Sequence, residues 1–302
     1  MIRGTCTMPF GFAIAALIAT GAVAQTPDGA RDRSQLPQPV YKVAQNLAAA
    51  GNAQAPAPVA PNQGQTPAAP AAHPLEPALK IAYASLATIH SDIKDYSATM
   101  VKRERIGGTL HENEFMYIKV RHQPFSVYMY FLAPASLKGQ EALFVAGKND
   151  DKLIGHGVGV RKILGTVHLD PTGAVAMSGQ RYPITELGIE NLTKRLIQVA
   201  ENDKKFGECE VKFFQGAKIN GRVCTCIQVT HPVARKNFLF NVARVFVDNQ
   251  MNVPVRYEAY EWPVTPGGQP QLLEEYTYLN MKLNNGFTDA DFDENNTEYK
   301  FH

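Results

Sequence analysis

The chain has 302 residues, with 30 Lys and Arg against 28 Asp and Glu, so its formal net charge at pH 7 is only +2. Such an even balance lacks the basic stripe that favours nucleic-acid binding, and we expect no nucleic-acid partner. Hydrophobic residues make up 45% of the chain, enough for a globular domain with a core of its own.

The first residues have the order of a secretory signal. Met1-Ile2-Arg3 carries a positive charge, a mostly apolar run extends from Pro9 to Val23, and Ala24 ends a tract of small residues. The run is about 15 residues long, shorter than the roughly 20 that a membrane-spanning helix needs. We expect residues 1–24 to be a signal peptide that is cleaved after Ala24 on export to the periplasm. The alternative is that it stays attached as a membrane anchor.

A linker is predicted from residue 25 to 74. Ala, Pro, Gln and Asn dominate this tract, and the large apolar residues that a core requires are scarce. We expect the tract to be disordered and to act as a solvated spacer or a tether. Residues 75–302 remain, a length that suits one large domain.

Two amphipathic helices are predicted in this domain. Apolar residues recur at three- and four-residue steps from Glu76 to Ile93 and from about Thr185 to Ala200. Pro77 is tolerated in the first turn of a helix. Thr185 and Gly188 mark the entry to the second helix.

Most of the remaining domain alternates with a period of two, which is typical of strands. About eleven strands result: Tyr96 to Arg105, Glu114 to Arg121, Phe125 to Leu132, Glu141 to Ala146, Lys152 to Gly155, Ile163 to Leu169, Glu208 to Phe214, Arg222 to His231, Phe238 to Asp248, Val253 to Tyr260 and Leu272 to Leu283. Short turns join successive strands, which favours an antiparallel meander.

One face of this sheet is apolar. Alternation places six side chains on it, namely Met116, Ile118, Val120, Val127, Met129 and Phe131. The last strand is expected to complete the face through Leu273, Leu279, Met281 and Leu283. Such a stripe is compatible with a packed core or with the lining of a ligand cavity, and on the second interpretation the six side chains line it.

The tract Lys102-Arg103-Glu104-Arg105 places one carboxylate among three cations. Because alternate residues share a face, one interpretation is a surface ladder of charges across strands. The other is a site for an anionic headgroup at the rim of the sheet, formed by Arg103 and Arg105 together with Arg121.

Three cysteines follow the signal peptide, namely Cys209, Cys224 and Cys226. An exported protein meets an oxidising compartment, so we expect one disulfide and one free thiol. Cys209 could pair with Cys226 or with Cys224, because the turn signal Asn220-Gly221 lies between them and would make their strands neighbours.

Common catalytic and metal motifs are absent from the sequence. It contains no phosphate loop, no His-Glu-x-x-His and no Gly-x-Ser-x-Gly. The tract Asp289 to Asp293 imitates the start of a calcium loop, but Glu294 stands where Gly is required. We therefore expect turn and capping hydrogen bonds there, no metal and no cofactor. His156 and His168 are the remaining candidates for acid–base chemistry.

Four tracts carry a resemblance to a known family: Arg121 to Tyr128, Lys138 to Leu143, Tyr182 to Ile189 and Glu274 to Phe301. They resemble the bacterial domain of unknown function 1571. In strand order this family is similar to the LolA-like periplasmic lipoprotein carriers and lipid binders. The resemblance implies an α+β fold, in which a strongly curved antiparallel sheet forms an unclosed half-barrel over residues 75–302 and helices cover its concave face. It implies no catalytic residue.

The leading hypothesis is a periplasmic, non-enzymatic protein that carries a lipid or lipidated partner between sheet and helices and touches the membrane only transiently. One alternative is a structural or interaction module of the cell envelope with a solid core. Another is a hydrolase that uses His156 or His168. An apolar groove under the helices would favour the carrier, and a filled interface would favour the module.

Overall fold

The computed structural model describes residues 72–301, which lie in one compact unit. The predicted signal peptide, its cleavage site and nearly all of the predicted linker lie outside the described residues. Within the described range, none of the helices has the length and apolar character that crossing a membrane requires.

Residues 72–301 contain two α-helices, α1 over Glu76–Asp92 and α2 over Ile189–Asp203. The second begins four residues later than predicted, because Gly188 has a φ of 110°. A Cβ on Gly188 would lie 2.9 Å from the hydroxyl oxygen of Tyr96. That hydroxyl accepts a hydrogen bond from the N–H of Ile189 at 3.0 Å. A residue without a side chain thus lets the start of α2 meet the first strand.

Twelve strands are found in the described residues: β1 Asp95–Ile106, β2 Thr109–Leu110, β3 Glu114–Arg121, β4 Ser126–Ala133, β5 Glu141–Val145, β6 Leu153–His156, β7 Thr166–Leu169, β8 Glu210–Ile219, β9 Arg222–Thr230, β10 Val242–Asp248, β11 Pro254–Glu261 and β12 Gln271–Leu283. Eleven of them form one path in the order β7-β6-β5-β4-β3-β1-β12-β11-β10-β9-β8, and β2 pairs with β1. Every pairing is antiparallel. The predicted open antiparallel sheet of about eleven strands is confirmed.

The face of the sheet that carries Met116 and Ile118 contains the main core. These side chains cluster with Ile89 of α1 and Ile189 of α2. Burying side chains of this size contributes roughly 1.5–3 kcal/mol each, so the contact between helices and sheet is a principal source of stability.

The opposite face of β4 and β5 packs against the C-terminal segment. Tyr299 stacks on Tyr128 with ring centroids 3.9 Å apart, and Phe301 joins the same buried cluster. Thr288 and Asp291 form a capping box at the start of a 3-10 turn. The expectation of capping hydrogen bonds in this acidic tract is confirmed.

Candidate functional site

A cavity of about 1170 Å³ is lined by residues of α1, α2, the loop before α2 and the sheet face that carries Met116. Pockets for drug-sized ligands usually have volumes of about 300–1,000 Å³. The cavity is therefore large enough for a long, flexible ligand.

The six side chains predicted to line a cavity divide into two groups. Met116, Met129 and Phe131 form part of the wall. Ile118, Val120 and Val127 are each 0% exposed and pack in the main core. Met116 and Phe131 also belong to the main core, so the whole stripe packs in the core and only part of it reaches the cavity wall.

Polar side chains from the three central strands also form part of the wall. We call this set the polar cluster: Lys102, Glu104, Glu114, Glu274 and Tyr276. Lys102, Glu104 and Glu274 are only 6%, 4% and 3% exposed. Charges so deeply buried destabilise a fold unless they are paired and hydrogen-bonded, so their partners decide whether the site is feasible.

The loop before α2 supplies hydrogen-bond donors to the carboxylates of Glu104 and Glu274. Nε of Arg181 donates to Oε2 of Glu274 at 2.7 Å, and its backbone N–H donates to Oε2 of Glu104 at 3.2 Å. The hydroxyl of Tyr182 donates to Oε1 of Glu274 at 3.1 Å. Tyr276 donates its hydroxyl hydrogen to Glu104. The two acids are therefore held by one loop and one strand tyrosine.

Lys102 provides the charge that balances the other side of the cluster. Its Nζ lies 3.1 Å from Oε2 of Glu114 and 3.6 Å from Oε2 of Glu104, and it donates to Gln180. The expected surface ladder is wrong for Lys102 and Glu104, because both lie buried in the cavity wall, where Lys102 pairs across strands with Glu114. The register explains the difference, since Met100 pairs with Met116 and Lys102 follows on the same face.

Burial shifts the pKa values of three side chains in the cavity wall. Burial raises the pKa of Glu274, although Arg181 acts in the opposite direction. Burial and the charge of Glu274 raise the pKa of Tyr182 to about 12. Burial, followed by the charges of Glu274 and Glu104, also raises the pKa of Tyr276. Both tyrosines are therefore neutral hydrogen-bond donors at physiological pH.

The wall is apolar on both sides of the polar cluster. Towards β7 it contains Met129, Phe131, Leu153 and Leu169, and towards β8 it contains Val229, Val245, Ala259 and, from α2, Leu192 and Leu196. An apolar space with a polar centre has the chemistry to hold an amphiphile.

The three arginines predicted to bind a headgroup are not part of this wall. Nη1 of Arg121 donates to Oδ1 of Asp289 at 2.8 Å, beside the C-terminal segment. Arg103 and Arg105 each donate from Nε to a backbone carbonyl, at 3.0 and 2.9 Å. The structure brings these side chains to partners other than the polar cluster.

The two candidate histidines lie on neighbouring strands. The register places His156 opposite Thr166 and His168 opposite Ile154, so the histidines are diagonal neighbours. Nε2 of His168 lies 3.5 Å from Oε2 of Glu294. Over residues 72–301, no group of three or more His, Cys, Asp or Glu side chains is arranged to hold a metal ion.

Cys209, Cys224 and Cys226 are free thiols in the structure. Burial raises the pKa of Cys224 to about 11 and that of Cys226 to about 12. Cys209 precedes β8, whose first residue, Glu210, lies opposite Thr230. This register sets Cys209 several residue steps from Cys226 along β9, so the fold does not bring the predicted pair together.

Comparison with known proteins identifies one family. The family described as "Protein of unknown function (DUF1571)" matches residues 93–301, which confirms the resemblance predicted from the sequence. A comparison with curated proteins finds no match.

Several solved structures are similar to this chain. One is a putative outer membrane lipoprotein-sorting protein domain from Vibrio parahaemolyticus, with 14% identity and a TM-score of 0.35 over 72% of this chain and 96% of that chain. Another is the lipoprotein LppX of Mycobacterium tuberculosis, with 13% identity and a TM-score of 0.40 over 72% and 100%. A third is a LolA superfamily protein from Nitrosomonas europaea, with 12% identity and a TM-score of 0.28 over 70% and 97%. These scores are too low to transfer a function.

Proposed function

This chain belongs to the DUF1571 family of proteins of unknown function, and we propose from its own geometry that it is a non-enzymatic binding protein for a lipid or lipidated partner. The observation that carries the proposal is the cavity of about 1170 Å³, whose wall is apolar on both sides of the polar cluster. Acyl chains occupy the apolar sides, and the polar part of the ligand meets the polar cluster.

In this proposal the helices cover part of the concave face of a half-barrel. Ile89 and Ile189 anchor the two helices in the main core. Leu79 of α1 and Leu196 of α2 contribute to the cavity wall. The helices also contact the sheet elsewhere, α1 through Leu79 beside Val229 and α2 through Leu196 beside Ala259, so a ligand would share the space under the helices with these side chains.

The energetics favour reversible binding of a long chain. Each buried methylene contributes about 0.8 kcal/mol, so about 14 of them contribute on the order of 10 kcal/mol. Association costs an estimated 4–15 kcal/mol in lost freedom. Only the surplus of the gain over the cost appears as affinity, so the net affinity is moderate and a partner or a membrane can reverse it.

A binding role suits the polar cluster better than a catalytic one. Glu104 and Glu274 accept hydrogen bonds from Arg181, Tyr182 and Tyr276. Because burial raises the pKa values of both tyrosines, their hydroxyls are poor proton donors and acceptors for catalysis near neutral pH. The tyrosine hydroxyls therefore serve in this proposal as hydrogen-bonding groups for the ligand.

We also propose that the protein acts in the periplasm. The support is the order of residues 1–24, which has the features of a secretory signal. The tract that follows, up to residue 74, would then separate the binding domain from its point of attachment or from a partner.

A cavity-filling variant tests the proposal. A fluorescent fatty acid is titrated into the full chain, the Val229→Trp variant and the Val223→Trp variant. Val229 lies in the cavity wall, whereas Val223 of the same strand is 47% exposed. Val229→Trp is expected to weaken fatty-acid binding about tenfold, because the new side chain takes the space of a few methylenes of the ligand. Val223→Trp should change the affinity little. Saturable binding that is equal in all three proteins, or absent from all three, would contradict the proposal.

A further inference from the structure

A short segment beside the cavity exposes three large apolar side chains. Val160, Ile163 and Leu164 are 85%, 88% and 71% exposed. They belong to the 3-10 turn Gly159–Leu164, which we call the rim segment. The strand predicted from Ile163 starts later, at Thr166, because Gly165 interrupts it with a φ of 61°. Side chains that would otherwise alternate along a strand are therefore displayed together on a turn.

The rim segment lies in a stretch of the domain that carries basic but no acidic residues. Between Asp151 and Asp170 the chain has no acidic residue, although acidic and basic residues are nearly balanced over its full length. Arg161 and Lys162, in the middle of the segment, are both exposed. Exposed apolar side chains next to basic ones are the combination that binds anionic lipid surfaces.

The same segment adjoins the ligand cavity. Arg161 and Leu164 form part of the cavity wall, as does Val175, which is 72% exposed. A side chain that is both in the wall and largely exposed lies where the cavity opens to solvent. The apolar surface is therefore continuous with the entrance.

We propose that the rim segment docks the cavity entrance onto an anionic phospholipid bilayer. Val160, Ile163 and Leu164 enter the boundary between headgroups and acyl chains, while Arg161 and Lys162 contact the lipid phosphates. This inference rests on the proposed lipid-binding function and adds the surface through which the ligand is exchanged. An acyl chain could then pass between bilayer and cavity without crossing bulk water, where each exposed methylene is unfavourable.

A local fluorescence measurement tests the docking. In a Trp262→Phe background, which removes the one native tryptophan, tryptophan is introduced as Ile163→Trp or, as the matched control, as Val264→Trp. Val264 is 81% exposed and does not belong to the cavity wall or the rim segment. Vesicles of phosphatidylcholine and phosphatidylglycerol are expected to shift the emission of Ile163→Trp to shorter wavelength, and added salt should reduce the shift. The same shift in both variants, or in neither, overturns the proposal.

A binding measurement separates docking from ligand binding. The full chain with Val160→Ser, Ile163→Ser and Leu164→Ser should bind these vesicles at least about tenfold more weakly, whereas Val264→Ser should match the unchanged protein. Fatty-acid binding in solution should persist in Val264→Ser and in the single variant Ile163→Ser, because neither residue lies in the cavity wall, and its persistence shows that these variants fold. Circular dichroism shows whether the triple variant, which changes Leu164 of the wall, is folded. The single Ile163→Ser variant should lose part of its vesicle binding, less than the triple variant loses. The pair Arg161→Gln and Lys162→Gln should lose the preference for phosphatidylglycerol over phosphatidylcholine alone.

The outcomes are distinguishable. If the unchanged protein binds fatty acid but no vesicles, or if the triple variant binds vesicles as well as the unchanged protein, docking is wrong and the binding function stands. If vesicle binding depends on the rim segment but no fatty acid binds, the proposed function fails and the docking surface stands. A dimer that the triple variant abolishes, without vesicle binding, would identify a second copy as the occupant and overturn the proposal.

Discussion

The hydroxyl of Tyr182 donates a hydrogen bond to Oε1 of Glu274 at 3.1 Å. The contact joins the loop before α2 to the centre of the sheet, across 92 residues of sequence. The neighbouring Arg181 binds the other oxygen of the same carboxylate at 2.7 Å. One buried acid therefore fixes the position of the loop that borders the cavity.

Replacement of Tyr182 by Phe is expected to lower the free energy of unfolding by about 1.5–3 kcal/mol, the usual contribution of a hydrogen bond to a charged group. Urea unfolding measures this change in the free energy of unfolding. The control is Tyr83→Phe, because Tyr83 also donates to a carboxylate at 3.1 Å but in an exposed position, where losses are usually within about 0.5 kcal/mol. Equal effects in the two variants would show that Glu274 is not buried as described.

The stability of the protein should depend on the ionisation of Glu274. Burial raises its pKa above the ordinary value of 4.5, so the folded state holds this proton more tightly than the unfolded state. The stabilisation is fully present below about pH 4.5 and is lost as the pH rises through the folded pKa. In Glu274→Gln, the free energy of unfolding should fall less steeply above pH 4.5.

Urea unfolding at a series of pH values measures this slope. Replacement of the exposed Glu298 by Gln is the control and should leave the slope unchanged. A Glu274→Gln variant whose slope equals that of the unchanged protein would contradict the assignment.

The division of the apolar stripe into core and wall can be tested with one variant of each kind. Ile118→Ala should lower the free energy of unfolding by about 2–5 kcal/mol, because it empties a fully packed site, and should leave fatty-acid affinity nearly unchanged. Met129→Gln places an amide in the wall and should weaken fatty-acid binding about tenfold with a smaller loss of stability. If Ile118→Ala abolishes binding in a protein that is still folded, Ile118 belongs to the wall.

The attachment of the C-terminal segment depends on Asp95. This buried carboxylate accepts hydrogen bonds from the backbone N–H groups of Asn285, Gly286 and Phe287 at 2.6, 3.1 and 3.2 Å. Asp95→Ala should cost at least about 1.5–3 kcal/mol and expose the chain after Asn285 to limited proteolysis. Replacement of the exposed neighbour Asp92 by Ala should do neither. A protease-resistant Asp95→Ala protein would show that the aromatic cluster alone holds the segment.

Period-two alternation predicted most strands to within a few residues, because side chains on a two-faced sheet must alternate. On β12 it assigned the face of Met281 and Leu283 correctly, since both pack against the main core, but it assigned the face of Leu279 incorrectly. Tyr276 and Tyr278, and not Leu279, lie in the cavity wall. The register with β1 shifts near Asn280, whose φ is 51°, and Met281 then joins the main core. A bulge reverses the faces that alternation assigns, and no pattern in the sequence predicts this bulge.

The polar cluster could have been anticipated in part. Once Met100 is paired with Met116, Lys102 and Glu114 must follow on the same face. The partners Arg181 and Tyr182 could not have been anticipated, because their contacts with Glu274 join positions more than 90 residues apart. Local propensity contains no information about such contacts, which arise only when the loop packs on the sheet.

Native mass spectrometry of the purified full chain, followed by solvent extraction and lipid analysis, shows whether the cavity holds a lipid. We expect the protein to carry extra mass that extraction removes and identifies as acyl-chain lipid. The Val229→Trp variant should carry less of it than Val223→Trp. A protein whose mass equals that of the polypeptide alone, with no lipid in the extract and no uptake of added fatty acid, would show that the cavity does not hold a lipid.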